Sequence, residues 1–329
     1  MRIMIIGMGY HARRIYIPYF MRGVRGCSLV CGLDIFEQKN IIESYLAKND
    51  YMLDIFFTND LQQDIINKEL DDLLLRMVNE HKIDSVIIST EPLMHYKYTK
   101  WCLEHNLNIL IDKPITAEAD ISTDLEKALK IQRDYEELKK IYINKKDSGL
   151  IKAFSVVSQR RFHPAYIFAK NKIEEVFNRT NCPITSIQVS HSDGQWRFPS
   201  EIIDQNYHPY NQGYGKCCHS GYHSFDMVNW FIDSTSRGDK KIDNADVFTN
   251  FLRPCDFLAQ LNFRDYRKLF NDFDVFNKYS EDDFNNICKD FGEIDAFSNV
   301  VFKRGDRIIC LGSINLIHNG FSQRNWATV

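Results

Sequence analysis

Short apolar runs alternate with helix-like segments over the first third of the chain. The runs cover residues Ile3–Ile6, Ser28–Leu33, Ser85–Ser89 and Asn108–Ile111, and residues His95–His105 place apolar side chains at helical spacing. Near-continuous apolar strands that alternate with helices are typical of a parallel sheet covered on both faces. The pattern therefore predicts that the chain begins with an α/β domain.

The pattern changes after residue 158. A long amphipathic helix is expected from about Ser122 to Lys145 and a further strand at Ile151–Ser158. The segments that follow alternate polar and apolar residues, as half-exposed strands of an antiparallel sheet do. They are Ile184–Ser190, Val247–Leu252, Val300–Lys303 and Arg307–Leu316.

We therefore predict two domains. Residues 1–158 form the α/β domain, and residues 159–329 form an α+β domain built on a mostly antiparallel open sheet. Within the second domain, residues 233–244 are polar and loop-like. Residues 264–293 are rich in Asp, Asn and Phe, and we expect an inserted helical or mobile region there.

Composition narrows the class of protein. The chain of 329 residues has a formal net charge of -3, which argues against a nucleic-acid-binding protein. It holds no run of the roughly 18 apolar residues that span a bilayer, and the first apolar run is too short for a signal peptide. We therefore expect a cytoplasmic protein with no membrane partner. Its nine cysteines form no CxxC pair, which indicates reduced thiols.

A glycine-rich turn follows the first predicted strand at once. It contains Gly7, Gly9 and Ala12, with Tyr10 and His11 before the alanine, and it opens a helix. In this GxGxxA form of the dinucleotide fingerprint, the first glycine makes the tight turn and the second lets the backbone approach a pyrophosphate. The alanine permits close packing of helix on strand. The alternative is a glycine turn without a ligand.

Asp34 ends the second predicted strand, near the spacing at which the fingerprint places an acidic residue. A carboxylate there accepts hydrogen bonds from ribose hydroxyls and repels a 2′-phosphate. Residues 35–37 offer no arginine. The sequence therefore predicts NAD as the cofactor and makes NADP the less favoured one; a solvated aspartate is the alternative.

Four further stretches carry a resemblance. They are Ser89–His95, Ile111–Pro114, Arg161–Pro164 and Gly221–Asp226. In this order they resemble the turn after the fourth strand, the Glu-Lys-Pro, the Arg-Phe-x-Pro and the Gly-x-His-x-x-Asp motifs of the Gfo/Idh/MocA oxidoreductases. This is the family of glucose–fructose oxidoreductase and inositol dehydrogenase. The resemblance covers the chain to about Trp230, and the last hundred residues match only loosely.

The resemblance implies a Rossmann domain followed by a mixed domain whose open sheet often mediates oligomerisation, here a dimer or tetramer. It also implies hydride transfer between a nicotinamide and a secondary alcohol of a sugar, amino sugar, cyclitol or sugar nucleotide. Further cofactor contacts are implied on the turn after the fourth strand and after the fifth. These residues are Ser89, Thr90, Glu91, Pro92, His95, Asp112 and Lys113.

Two side chains match the family's catalytic groups. Lys113 matches its lysine, whose ammonium would stabilise developing charge on the reacting oxygen; an ion-paired surface lysine is the alternative. His223 matches the histidine that exchanges the hydroxyl proton, and a packed core histidine is the alternative. His219 stands where many members have an aspartate, and a neutral imidazole cannot supply that carboxylate. We therefore include His219 among the catalytic candidates with its role open.

We expect the second domain to supply the residues that line the substrate site, because sugar sites need flat apolar faces with hydrogen-bonding groups at their edges. The candidates are Arg161, Trp196, Arg197, Tyr210, Tyr222 and Asp226. The alternative is an irregular connection whose aromatic residues fill the core. A guanidinium at Arg197 would suit the phosphate of a nucleotide sugar.

Three rival interpretations remain open. Cys217, Cys218, His219 and His223 suggest a zinc site, although adjacent cysteines are an awkward ligand pair and we predict no metal. The chain could instead be a non-catalytic NAD-binding regulatory or sensor protein of the same fold. The third interpretation is a purely structural oligomer, which the intact dinucleotide fingerprint does not favour.

Overall fold

The computed structural model describes residues 1–192, 199–204 and 210–317. The chain divides into two compact units, Met1–Glu118 with Leu129–Val157, and Ala119–Ala128 with Ser158–Val329. Residues 119–128, which the sequence pattern assigned to the first domain, thus group with the second unit. Among the described residues, the helices lack the combined length and hydropathy needed to cross a bilayer.

The first unit contains a six-stranded parallel sheet in the order β3-β2-β1-β4-β5-β6. Buried residues on β1 alternate between two cores: Met4 and Ile6 point to one face, and Ile3 and Ile5 to the other. Both faces are covered, so the predicted α/β fold is confirmed. The strands are β1 Arg2–Ile6, β2 Ser28–Ile35, β3 Asp54–Thr58, β4 Ser85–Ile88, β5 Asn108–Ile111 and β6 Phe154–Val156.

Helices connect these strands and cover the sheet. They are α1 Tyr10–Arg14, α2 Tyr16–Met21, α3 Lys39–Lys48, α4 Lys68–His81, α5 His95–Glu104 and α6 Leu125–Asp147. The first two are separated at Ile15, where the backbone departs from ideal helical angles. Pro18 has no N–H to donate to the preceding turn, which accounts for the break.

The second unit is built on a four-stranded mixed sheet in the order β7-β10-β9-β8. Two pairings are antiparallel and the β7–β10 pairing is parallel, so the prediction of a mostly antiparallel sheet is confirmed with one parallel edge. Its elements are α7 Pro164–Thr180, β7 Ser186–Ser192, α8 Pro199–Asp204, α9 Tyr222–Thr235, β8 Asn244–Leu252, α10 Pro254–Gln260, α11 Phe263–Leu269, α12 Phe273–Phe276, α13 Glu281–Cys288, β9 Asp295–Arg304 and β10 Arg307–Ile317.

The two faces of this sheet differ. One face packs against α9, where Val228 and Ile232 join Val300 and Ile314 in a buried core. The other face carries exposed apolar side chains on three strands. They are Phe248, Phe297 and Leu311, which expose 65%, 43% and 54% of their surface.

Several predicted boundaries were wrong. The strand β3 was not predicted, α6 begins at Leu125 rather than at about Ser122, and β9 begins at Asp295 rather than at Val300. Residues 264–293 are largely helical, with Tyr266, Phe273 and Phe284 in one buried aromatic cluster, so the helical alternative holds there.

Candidate functional site

The glycine turn lies against the end of β4. Gly7 has a φ of +88°, and a Cβ at this position would come within 2.5 Å of the carbonyl oxygen of Ser89. Its N–H donates to the carbonyl of Leu33 at 2.9 Å. A Cβ at Gly9, by contrast, would meet no atom of the described residues within 4 Å. Gly7 is thus required by the fold, while the space at Gly9 lets a ligand approach the backbone.

The other residues of the fingerprint, Tyr10, His11 and Ala12, differ in their exposure and contacts. Ala12 is completely buried in the core beneath α1, as close helix–strand packing requires. Tyr10 exposes 72% of its surface. The ring of His11 packs edge-on against Tyr16.

Asp34 closes the glycine turn at the end of β2. Its carboxylate accepts hydrogen bonds from the backbone N–H of Met8 at 2.5 Å and from its neighbour Ile35 at 2.7 Å. Burial raises the pKa of Asp34, while these two hydrogen bonds and the charge of Arg13 oppose that rise. Asp34, which we predict to bind the ribose hydroxyls, therefore also fixes the glycine turn. The sequence analysis did not predict that the charge of Arg13 would act on this carboxylate.

Asp112 gathers several polar groups at the carboxyl end of β5. It accepts hydrogen bonds from the hydroxyls of Ser89, at 2.6 Å, and of Tyr16, and His11 Nε2 lies 3.8 Å from it. Tyr16 is buried and was not among the predicted site residues. The hydroxyl of Tyr16 donates to the carboxylate of Asp112, whose side chain is one methylene shorter than the glutamate of the family's motif.

His95 links the turn after β4 to the residue that follows Lys113. Its ring is completely buried; Nδ1 lies 2.5 Å from the carbonyl oxygen of Pro114 and Nε2 lies 3.1 Å from that of Thr90. Burial lowers the pKa of His95, which favours the neutral ring. The ring therefore presents no surface to a ligand and instead holds this turn in place.

The other predicted residues of the first unit lie on the same turn or beside it. The hydroxyl of Thr90 donates to the carbonyl of Glu91 at 3.2 Å, and Pro92 begins a single 3₁₀ turn. Lys113 is half-buried and directly follows Asp112. The fold thus brings Gly7, Ser89 and Asp112 together at the carboxyl ends of β1, β4 and β5, the edge at which open α/β sheets bind ligands.

In the second unit a π-helical turn, Cys217–Gly221, leads into α9. Such turns insert an extra residue and occur frequently at functional sites. The turn carries His219, which is buried and whose Nε2 lies 3.2 Å from the hydroxyl of the fully buried Tyr210. The predicted substrate residue Tyr210 is thus a neighbour of His219 inside the unit.

Glu293 supports the start of the π-helical turn. Its carboxylate accepts hydrogen bonds from the N–H of Cys217 at 2.8 Å and from the hydroxyl of Ser122 at 2.6 Å. Two backbones cross here, because a Cβ at Gly215 would lie 1.9 Å from the carbonyl oxygen of Glu293. Burial, with the neighbouring Glu293 carboxylate, raises the pKa of Cys217 well above its usual range.

His223 lies in the first turn of α9. The hydroxyl of Tyr222 contacts its Nε2, and the side-chain nitrogen of Gln159 lies 3.4 Å from the same atom. An amide nitrogen can only donate, so this contact is a hydrogen bond when Nε2 carries no proton. Gln159 was not predicted; only folding brings it, 64 residues earlier in the chain, to His223.

Arg161 and Asp226, both predicted to meet substrate, bind each other. Nε of Arg161 donates to the carboxylate of Asp226 at 2.9 Å and Nη2 donates at 2.5 Å. This two-point ion pair raises the pKa of Arg161 and ties α9 to the residues before α7. Trp196 and Arg197 lie outside the described residues.

The zinc alternative gains no support from geometry. Within residues 1–192, 199–204 and 210–317, His, Cys, Asp and Glu side chains form no group of three that could hold a metal ion. The described thiols, Cys217 and Cys218 included, are not in disulfides.

Comparison with known proteins links the N-terminal part of the chain to one family. Residues 1–146 match the model of GFO_IDH_MocA, described as an oxidoreductase family with an NAD-binding Rossmann fold. The resemblance predicted from the motifs is confirmed over these residues. A comparison with curated proteins finds no match.

Several solved structures have a similar fold over most of the chain's length. The myo-inositol 2-dehydrogenase from Lactobacillus plantarum is 14% identical with a TM-score of 0.59, and the match covers 97% of this chain and 70% of that one. The apo scyllo-inositol dehydrogenase from Lactobacillus casei is 15% identical, with a TM-score of 0.58 and coverages of 97% and 69%. The myo-inositol dehydrogenase from Lactobacillus casei, in complex with NAD(H) and myo-inositol, is 11% identical, with a TM-score of 0.57 and coverages of 98% and 68%.

Proposed function

Because residues 1–146 belong to the Gfo/Idh/MocA oxidoreductases, with their NAD-binding Rossmann fold, we propose that the protein is an NAD(H)-dependent dehydrogenase or reductase. Its substrate would be a secondary alcohol of a sugar, amino sugar, cyclitol or sugar nucleotide. The structural neighbour whose complex contains NAD(H) and myo-inositol supports this class of small polyol.

The observation that carries the proposal is the junction of Gly7, Asp34 and Ser89. Gly7 is held at a positive φ against the backbone of Ser89, and the carboxylate of Asp34 fixes the amide of Met8. The space beside Gly9 suits the pyrophosphate, and Asp34 suits the ribose hydroxyls of NAD. The residues present therefore fit a dinucleotide.

When bound, the nicotinamide would accept or donate the hydride. Lys113 would orient the reacting oxygen and stabilise the negative charge that develops on it. The hydrogen bonds of Asp112 to Ser89 and Tyr16 would hold the strand end from which Lys113 projects. His95 would fix the same segment through the carbonyl of Pro114.

His223 would exchange the hydroxyl proton with the substrate, accepting it on oxidation and returning it on reduction. The contact of Tyr222 with Nε2 would orient the imidazole and provide a path for that proton. His219 would have a positioning role, because its Nε2 is next to the buried hydroxyl of Tyr210.

We further propose a homo-oligomer that uses the open face of the second sheet. Phe248, Phe297 and Leu311 form an exposed apolar surface there, and surfaces of this kind mark protein contacts. No nucleic acid or membrane partner is proposed.

The test is calorimetric binding of NADH, followed by a panel of sugars and polyols read at the nicotinamide absorbance. Binding with turnover of any panel member supports the dehydrogenase. Binding without turnover would favour the alternative of a non-catalytic sensor if substitution of Lys113 and His223 leaves the NADH affinity unchanged. A protein that binds no dinucleotide would refute the proposal.

A further inference from the structure

His11 belongs to the glycine turn and also meets the end of β5. It follows Gly9 by two residues, and a Cβ at Gly9 would meet no atom of the described residues within 4 Å. Nε2 of His11 lies 3.8 Å from Oδ1 of Asp112, and its ring packs edge-on against Tyr16, with 5.6 Å between the ring centroids. The imidazole thus connects the turn that would hold a dinucleotide to the carboxylate of Asp112.

Asp112 already accepts hydrogen bonds from two hydroxyls. Ser89 donates to Oδ2 at 2.6 Å, and Tyr16 donates to Oδ1. The side chain of Asp112 is only 15% exposed, so its negative charge is partly withdrawn from water. The hydroxyls bring no positive charge to it, whereas a protonated imidazole at His11 does.

The side chain of His11 is open to solvent, with 47% of its surface exposed. It can therefore exchange protons with water and reach a bound ligand. Imidazoles change their charge between about pH 5 and 8. Because an ion pair as exposed as this one adds little to the stability of a fold, the pairing with Asp112 has more effect on a charged ligand at the turn than on folding.

The ring of His11 is contacted by Asp112, from the end of β5, and by Tyr16, from α2. The charged and titratable groups next to these residues along the chain are Tyr10, Arg13, Arg14 and Lys113. Among all of these groups Asp112 alone is acidic. The imidazolium of His11 therefore has one carboxylate as its counter-charge.

We propose that His11 binds the pyrophosphate of the dinucleotide in its protonated form, so that binding of NAD(H) takes up a proton. The carboxylate of Asp112 repels an anion that approaches the glycine turn. Both ring nitrogens of an imidazolium are donors, so Nε2 can face Asp112 while Nδ1 donates to a phosphate oxygen in a charge-assisted hydrogen bond. This inference rests on the proposed function, since it concerns the same dinucleotide.

The experiment measures NADH binding by calorimetry at several pH values, each in two buffers that differ in ionisation enthalpy. The difference in binding heat between the two buffers gives the number of protons taken up. We expect the wild-type affinity for NADH to fall by about tenfold from about pH 5.5 to about pH 8.5, as loss of a charge-assisted hydrogen bond would cause. A tenfold coupling corresponds to a maximal uptake of about half a proton per NADH.

His11→Gln keeps a polar side chain but cannot take up a charge. It should lose the proton uptake, and it should bind NADH about tenfold more weakly than the wild type at the low pH and within about threefold of it at the high pH. His81→Gln is the matched control, because Nε2 of His81 lies 3.7 Å from the carboxylate of Asp54 at the amino end of β3, at the opposite end of the strands from the glycine turn. It should match the wild type in both quantities.

A wild type that binds NADH with no proton uptake would overturn this inference and leave the proposed function standing. Uptake that persists in His11→Gln would assign the proton to another group, and equal effects of the two histidine substitutions would show that neither is specific; both results would also overturn it. A wild type that binds no dinucleotide would overturn the proposed function as well. Should His11→Gln fail to fold, His11→Asn replaces it with the same expected results.

Discussion

The carboxylate of Glu293 accepts a hydrogen bond from the backbone N–H of Cys217 at 2.8 Å, at the first residue of the π-helical turn. Its other oxygen accepts from Ser122, in the segment 119–128. One buried side chain therefore joins three separate parts of the second unit. The turn that carries His219 depends on a residue in the part of the chain where the family motifs have ended.

Glu293→Ala would leave two donors, at Cys217 and Ser122, without their acceptor. Each such buried group costs about 1–3 kcal/mol, so we expect the free energy of unfolding to fall by about 2–4 kcal/mol. Urea denaturation measures it. Glu175→Ala is the control, because Glu175 lies half-buried on α7 and pairs with the surface cations Lys172 and Arg179, and such pairs contribute about 1 kcal/mol or less. Equal losses in the two variants would contradict the role of Glu293.

Gly7→Ala and Gly9→Ala should separate fold from ligand binding. Alanine at Gly7 meets both the positive φ and the backbone of Ser89, so we expect a loss of more than about 2 kcal/mol in stability. The Cβ of an alanine at Gly9 has no atom of the described residues within 4 Å, so stability should change by less than about 1 kcal/mol while NADH affinity falls. Thermal unfolding and calorimetry give the two quantities. Full NADH affinity in Gly9→Ala would argue against a ligand at that space.

Lys97 and Asp60 form a buried pair, with Nζ 3.6 Å from the carboxylate. Burial lowers the pKa of Lys97 from its ordinary 10.5, although Asp60 opposes the change. At a pH between the lowered pKa of Lys97 in the folded protein and its unfolded value of 10.5, the unfolded chain binds more protons than the folded one. The contribution of Lys97 to the free energy of unfolding therefore grows as the pH rises toward 10.5. The stability difference between the wild type and Lys97→Met should therefore increase with pH in this window.

Lys100→Met provides the comparison for Lys97. Both lysines lie on α5, but the hydrogen bond to Glu137 raises the pKa of Lys100. The stabilisation by Lys100 is fully present at a pH below its pKa in the unfolded chain, and it is lost as the pH rises through its higher pKa in the folded protein. The pH dependence therefore has the opposite sign to that of Lys97. Chemical denaturation at several pH values measures both differences. A difference for Lys97→Met that stays constant with pH would contradict the prediction.

Lys113→Ala is expected to lower kcat by about a hundredfold or more while leaving NADH affinity within about threefold of the wild type, because in the proposed function its ammonium acts on the reacting oxygen. Lys152→Ala, an exposed lysine of the same unit, serves as the control. Steady-state kinetics on whichever polyol the panel identifies, together with calorimetry, would test this. A parallel loss of NADH binding would assign Lys113 to the cofactor or the fold instead.

The open sheet face should control assembly. Leu311→Asp and Phe248→Asp place a charge on the exposed apolar surface of the second sheet, where it would have to be buried in a subunit contact. We expect both to shift the protein to a smaller species in sedimentation or light scattering. Val275→Asp, on α12 and 78% exposed, should leave the mass unchanged. A wild type that is already monomeric would refute the proposed interface.

Sequence pattern predicted the first unit better than the second for a physical reason. Strands β1, β2, β4 and β5 are buried on both faces and therefore read as continuous apolar runs. The edge strand β3 begins with an exposed aspartate and is only half-buried, so it gave no comparable signal. Residues 264–293 look polar because their helices bury only one side, around Phe273 and Phe284.

The candidate site was predicted where a motif carries the chemistry. Gly7 and Asp34 follow from spacing along the chain, and Lys113 follows from the resemblance of residues 111–114 to the family's Glu-Lys-Pro motif. Tyr16 was not predictable, because it meets Asp112 only across 96 residues, and Glu293 reaches Ser122 across 171. Such partners follow from tertiary packing, which a single sequence does not encode in a local pattern.

The grouping of residues 119–128 with the second unit determines how the protein can be divided. A fragment that ends at Val157 would retain this segment but lose Glu293 and Gln212, whose groups bind Ser122 and Asp120. A fragment that starts at Ser158 would lack Ser122 itself. Neither piece made by one cut contains a complete compact unit, so dissection of this protein calls for a circular permutant or for replacement of 119–128 by a short linker.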